Sequence, residues 1–185
     1  MIRKRLMVLA LALLALPASA STFVRMTPRE LVADSYAVVQ GKVLDTYTYW
    51  HESGKVPITE AFVQVERTLV GEAPTVVTVR TFGGQIGSLR VEAHGFPVFH
   101  KGDRVVLFLE NHEDGYTVVS GYQQGQFRVV VNEKGIEMAI PATDPNARIL
   151  TRDGREAEPL AITPLETLTH RIQHEARQLG RPIEN

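Results

Sequence analysis

The sequence predicts a mainly β fold: a small closed or partly open barrel, preceded by a short helix and followed by an amphipathic one. Three observations carry this. Between residues 36 and 131 the apolar residues fall in short, β-branched runs, one of them with clear period-two alternation. Glycine-bearing turns separate the runs, at Gly71-Glu72-Ala73-Pro74, Gly102-Asp103, Asp114-Gly115 and Gly121 to Gly125. The grammar of a helix start occurs on either side of that stretch, at Thr27-Pro28-Arg29-Glu30 and at Thr163-Pro164-Leu165-Glu166.

The first element is a leader. Residues 1–20 combine a basic start (Arg3, Lys4, Arg5), an apolar run from Leu6 to Leu16, Pro17 and the small-residue end Ala18-Ser19-Ala20, the layout of a secretory signal peptide. Crossing a bilayer takes about 18 apolar residues, more than this run supplies, so cleavage after Ala20 is expected rather than anchoring. The mature protein would be periplasmic or secreted, begin at Ser21 and have no membrane span. Losing three positive charges and no negative ones takes the formal charge from −1 to −4, which gives no electrostatic case for nucleic acid. The chain contains no Cys, which excludes disulfides, thiolate nucleophiles, Cys-ligated zinc and lipid attachment at a cysteine.

The remaining elements follow in order. Thr27 can cap a helix with Pro28 in its first turn and Glu30 three residues after the cap. Tyr36 to Leu44 starts a first strand that continues towards Trp50, with Gly41 where a strand bulges or bends around a barrel. Ile58 to Leu69 alternates, with Ala61, Val63, Val65 and Leu69 on one face and Glu60, Phe62, Gln64, Glu66 and Thr68 on the other. Val76 to Phe82 returns as the second arm of a hairpin. Further strands are expected at Ser88 to Glu92, Arg104 to Glu110, Tyr116 to Val119 and Gln126 to Val131. The segment 141–163, rich in Pro, Asp, Asn, Arg and Gly, reads as an irregular linker after a barrel domain over 21–140. A C-terminal helix over 164–180 should then pack on the barrel through Leu165, Leu168, Ile172, Ala176 and Leu179, closed by Gly180 and Pro182.

Motifs that would carry catalysis are weak. His170 and His174 have the spacing of a shared metal, but they lie opposite the apolar stripe and lack the intervening Glu of a zinc protease helix. Gly83-Gly84-Gln85-Ile86-Gly87 follows a strand, yet the next segment alternates like another strand instead of opening a phosphate-binding helix. No Gly-x-Ser-x-Gly elbow occurs, and no acid/base pair stands out. The reading is therefore a protein that is not an enzyme, with no cofactor and no metal site.

Two aromatic and histidine-bearing connections are better candidates for binding: His94-Gly95-Phe96-Pro97-Val98-Phe99-His100 and Gly121-Tyr122-Gln123-Gln124-Gly125-Gln126-Phe127. Phe96, Phe99 and Phe127 have the alternative of plugging the barrel ends as core. The partner-binding residues are taken to be Ser21, Phe96, Phe99, His100 and Tyr122. A small-ligand or glycan-binding barrel is the alternative, with Tyr47, Tyr49 and Trp50 as its exposed aromatics.

The succession Val38 to Val43, Val63 to Gly71, Thr78 to Thr81 and Gly102 to Leu109, following the short helix and Ala33-Asp34, resembles the OB-fold barrel of tissue inhibitors of metalloproteinases and related netrin-like modules. With the Gly83-Gly84 turn, Phe96-Pro97-x-Phe99 and Gln124-Gly125-x-Phe127, it is also similar to a group of exported bacterial proteins, some of which accompany matrixin-type metalloproteases. The resemblance implies a small OB-like barrel and a protein partner in the envelope or extracellular space, with a metalloprotease as the partner to test. The animal inhibitors chelate the catalytic zinc through an N-terminal cysteine clamped by disulfides. Here Ser21-Thr22-Phe23 would stand in its place, leaving only the α-amine of Ser21 as a ligand.

Overall fold

A computed structural model describes residues 21–183; the leader lies outside the described residues. The chain opens with β1 (Ser21–Val24) and helix α1 (Pro28–Asp34). Thr27 and Glu30 form a reciprocal capping box: the Thr27 hydroxyl accepts from the Glu30 N–H, and the Glu30 carboxylate accepts from the Thr27 N–H. Two long strands follow, β2 (Ala37–Trp50) and β3 (Pro57–Gly71), then β4 (Val76–Phe82). A small hairpin of β5 (Gly84–Ile86) and β6 (Leu89–Val91) takes up the Gly83-to-Gly87 segment, so that glycine-rich stretch is a β-connection.

Next come β7 (Arg104–Asn111), β8 (Thr117–Val119), a 3-10 turn at Tyr122–Gly125, and β9 (Gln126–Val131). The last elements are β10 (Glu137–Pro141), β11 (Ala147–Leu150), β12 (Thr163–Pro164) and helix α2 (Leu165–Gln178).

Five strands close a barrel. β2 pairs with β3, β3 with β4, β4 with β8, β8 with β7, and β7 again with β2, all antiparallel except β4 with β8. Counting only barrel strands, the order around the ring is first, second, third, fifth, fourth, that of an OB-fold barrel. From β7 the sheet also extends outward through β9 and β10 to β12.

This arrangement makes two cores. Val39, Val43, Ala61, Val63, Val77, Val79, Val105, Leu107, Leu109 and Phe99 fill the barrel. On the other side of the sheet, Val38, Val106, Phe108, Phe127, Val129 and Ala139 meet Leu31 and Val32 of α1 and Leu165, Leu168, Ile172 and Ala176 of α2. The leucine stripe of α2 thus faces inward, while His170 and His174 are exposed.

Three local features depart from expectation. Leu69 does not share the face of Ala61 and Val63: Val38 pairs with Val70 and Val39 with Thr68, so a bulge at Leu69 sends it to the helix-side core. Thr163 does not cap α2; it pairs with Ala139 in β12, and the N-cap is Pro164 without a side-chain bond. Within 141–163, residues Ala147–Leu150 form β11, which pairs in parallel with β1. Gly41 does sit at a register shift, and a Cβ there would fall on the carbonyl of Gln64.

Candidate functional site: an aromatic ridge at the barrel mouth

Phe23, from β1, packs against Tyr122 with ring centroids 4.7 Å apart. Tyr122 meets Phe96 edge-on at 5.1 Å, and Phe96 meets Phe82, the last residue of β4, edge-on at 5.2 Å. Four rings from four separate stretches of chain therefore form one ridge. It is not buried: Tyr122 is 45% exposed and Phe82 39%. Edge-to-face packing of this kind adds about 0.5–1.5 kcal/mol per pair beyond area burial, which keeps the rings in a defined arrangement.

The ridge is fixed from beneath by polar brackets. Gly95 lies under the Phe23 ring at φ +84°, and a Cβ there would overlap the ring, so only glycine permits this approach. The Gln124 carboxamide, 2% exposed, accepts from the Met26 N–H and donates to the Val24 carbonyl, both at 3.0 Å. It fastens the chain on the C-terminal side of β1 to the 3-10 turn. Gln123 N–H donates to the Gly95 carbonyl at 3.0 Å, and the Gln126 side chain donates to the Val98 carbonyl at 2.8 Å.

Asp144 holds the outer side of the 94–100 loop. Its carboxylate accepts from the N–H groups of Gly95 (2.9 Å) and Asn146 (2.8 Å), and one oxygen lies 3.0 Å from Nδ1 of His94. Partial burial works against its charge. The two backbone donors and the His94 ring outweigh it and hold the carboxyl below the usual carboxylate range.

Tyr122 stands at φ +59°, which makes it the one non-glycine residue with positive φ among the described residues. That backbone region is sparsely used by residues carrying a Cβ. Here it lets the ring turn out between Phe23 and Phe96 while Gln123 and Gln124 turn in. Gly121, also left-handed, faces Met26 and Leu31 closely.

Of the residues expected to bind a partner, Phe96 and Tyr122 lie in the ridge, and Ser21 begins the strand that carries Phe23. His100 is exposed at the end of the same loop, its Nδ1 3.3 Å from Asp103. Phe99 belongs elsewhere: at 6% exposure it plugs the barrel core, because alternation along 96–100 turns Pro97 and Phe99 inward and Phe96, Val98 and His100 outward. Phe127 is core as well.

Sequence reasoning missed Phe23, Phe82 and Asp144. None has a local signal, since each joins the site through a partner on a different element, 14 or more residues away along the chain.

Tyr47, Tyr49 and Trp50 make no ring contact with the ridge, although Tyr47 lines the same cleft as Phe82 and Phe96. Tyr47 is 62% exposed and stacks on Tyr49 at 5.8 Å. Tyr49 OH donates to Glu60, which also receives Arg80, and Arg80 lies 4.2 Å over the ring of Tyr116. Among the described residues no group of three or more His, Cys, Asp or Glu is placed to hold a metal ion, and no helix is long and apolar enough to cross a membrane. The chain matches no protein-family model, no curated protein and no solved structure.

Proposed function

We propose that this chain is an exported, non-catalytic protein-binding module that docks a protein partner through the ridge of Phe23, Tyr122, Phe96 and Phe82, with a zinc metalloprotease as that partner. The carrying observation is the ridge itself: four contiguous aromatic rings, partly exposed and locked by buried glutamine brackets. Rigid aromatics lose little conformational entropy on binding, which is why such residues dominate interface energetics. The metalloprotease identity rests on the resemblance of the sequence to the inhibitor OB barrels. Export rests on the leader anatomy of residues 1–20.

The test is titration of the protein, produced to begin at Ser21, against a matrixin-type protease with a fluorogenic peptide substrate and calorimetry in parallel. Saturable complex formation is expected, weakened at least tenfold by Tyr122→Ala combined with Phe96→Ala. Adding one residue before Ser21 separates two contact modes: loss of inhibition with binding retained points to the terminal amine at the zinc, and no change points to the ridge alone. Absence of any complex at about 10 μM of both proteins, equivalent to a free energy weaker than about −7 kcal/mol, would refute the reading.

A further inference from the structure

One edge of β2 runs out of partners halfway along. β3 pairs with β2 from Ala37 to Trp50, whereas β7 covers the opposite edge only from Ala37 to Lys42. The turn before β7 adds one step, the Val43 N–H donating to the Asp103 carbonyl and the Gly102 N–H to the Val43 carbonyl. Beyond it, among the described residues, no strand pairs with that edge of 44–50.

The ladder with β3 fixes which groups are left over. The His51 N–H donates to the Val56 carbonyl, so alternation places Tyr49 and Tyr47 in the hydrogen-bonded pairs with Ile58 and Glu60. The N–H and C=O of Thr46, Thr48 and Trp50 therefore point to the open edge. Two contacts agree with this: the Thr46 N–H donates to the side chain of Asp45 at 3.0 Å, and Pro57, opposite Trp50, accepts from Gly83 on the far side of β3. Open edges are ordinarily blunted by Lys, Pro or a bulge. Thr46-Tyr47-Thr48-Tyr49-Trp50 has none of these, and every residue in it favours a strand.

The edge opens into the cleft that Tyr47 shares with Phe82 and Phe96, about 890 Å³ in volume. Thr46 and Thr48 lie opposite Ala61 and Thr59 on the barrel-core face of β2, and Tyr47 lies on the other face, yet all three line this cleft. One cavity meets both faces of a strand at its edge. Thr59 and Thr81 continue the wall on the core side. Apart from two histidines, the charged lining residues are two arginines and three carboxylates, a near balance that suits an uncharged occupant.

We propose that the open edge of β2 takes up an extended, uncharged polypeptide segment of a partner, its main chain paired with Thr46, Thr48 and Trp50 and alternate side chains laid against the threonine wall. A polypeptide main chain is the ligand that supplies N–H and C=O groups at the repeat of about 6.8 Å set by alternate strand residues. No contact at the aromatic ridge is needed, and an isolated peptide tests the edge, so its failure and that of ridge docking are distinguishable.

The probe is Ac-Lys-Thr-Val-Thr-Val-Thr-Lys-NH2, whose terminal lysines keep it soluble, added to the protein beginning at Ser21 and followed by calorimetry and amide hydrogen exchange. Saturable binding is expected, with exchange of the Thr48 and Trp50 amides slowed at least tenfold. Those of Tyr47 and Tyr49, already in the β3 ladder, should change less than twofold. Thr48→Pro removes an N–H that β3 does not use and should weaken binding at least tenfold, whereas Thr48→Val keeps the N–H and should stay within threefold of the parent. The peptide N-methylated at its five central residues makes the same test without touching the protein, and should bind at least tenfold more weakly. So should the peptide with glutamate for both valines. No saturable binding up to about 2 mM would overturn the proposal, as would binding that leaves Thr48 and Trp50 exchange unchanged. Equal binding by either altered peptide would also overturn it. A dimer of the peptide-free protein with those two amides protected would do the same, assigning the edge to a second copy of the chain.

Discussion

Arg181 should be worth more to stability than its place beyond the last helix implies. Helix α1 has only seven residues, so its last carbonyls have few partners within the helix. Arg181 supplies them from outside. Its Nη1 donates to the carbonyls of Val32 (2.8 Å) and Ser35 (2.6 Å), and its Nη2 donates to that of Tyr36 (2.8 Å). The guanidinium is positioned by the end of α2: Gly180 at φ +67° donates to Arg177, and the Arg181 N–H donates to Ala176, the two bonds of a Schellman motif. Hydrogen bonds to a charged group contribute about 1.5–3 kcal/mol each, but these carbonyls are only partly buried and recover some of that from water. Arg181→Met keeps the aliphatic stem and loses all three bonds, so a cost of about 2–4 kcal/mol is expected. Arg181→Lys, with a point charge that cannot fork to three carbonyls, should fall between. Urea unfolding followed by circular dichroism reads this directly, with the slope unchanged and the midpoint lowered. Arg177→Met, an exposed arginine one turn earlier, is the control and should stay within about 0.5 kcal/mol of the parent. An Arg181→Met variant as stable as that control would show that the three bonds merely exchange with water.

Leu168→Asp, which places a charge in the helix-side core, should unfold the protein or cost more than about 3 kcal/mol, while His170→Ala on the exposed face should be nearly neutral by thermal melting. Gly41→Ala should cost about 1–3 kcal/mol in urea, since its Cβ would press on the Gln64 carbonyl and the Val63 side chain and the strand must shift to admit it. The depressed carboxyl of Asp144 contributes stability that is fully present above about pH 4, its unfolded value, and is lost as pH falls through the lower folded value. Asp144→Asn should therefore lower the melting temperature at pH 7 and reduce its fall between about pH 4 and 2, and an acid limb identical to the parent's would contradict the assignment.

The strands of the barrel were legible because each had to bury one face, and burial writes itself into the chain as β-branched runs cut by glycine. β4 and β9 have the expected limits, β2 and β7 differ by one residue at one end, and β3 is longer by one residue at its start and two at its end. What was not legible is pairing that depends on distant chain. Ser21–Val24 and Ala147–Leu150 have no periodicity of their own and become strands only against each other. The cap reading failed at Thr163 for a related reason: Thr-Pro-Leu-Glu satisfies local grammar, but β10 offers the Thr163 backbone a ladder partner. At the ridge, Phe96 and Tyr122 stood out because glycines surround them, whereas Phe82 is one more apolar residue at the end of a strand. Phe99 stayed open between loop contact and barrel plug because an aromatic in a loop looks the same in sequence whether its ring points in or out, and it is the plug.

The ridge follows from how β7 shares one edge. Its C-terminal half, Leu109 to Asn111, pairs with β8 and closes the barrel, while its N-terminal half, Arg104 to Leu107, pairs on that same edge with β9. Two strands cannot abut end to end without a connection that leaves the sheet plane, and the 3-10 turn at Tyr122–Gly125 is that connection. Its tightness has a visible cause: a Cβ at Gly125 would fall on the Ser120 carbonyl and crowd Phe108. The same turn aims Tyr122 outward and Gln123 inward from adjacent positions, so one departure from regular β-structure supplies both the exposed ring of the ridge and the buried residue whose N–H holds the Gly95 carbonyl beneath it.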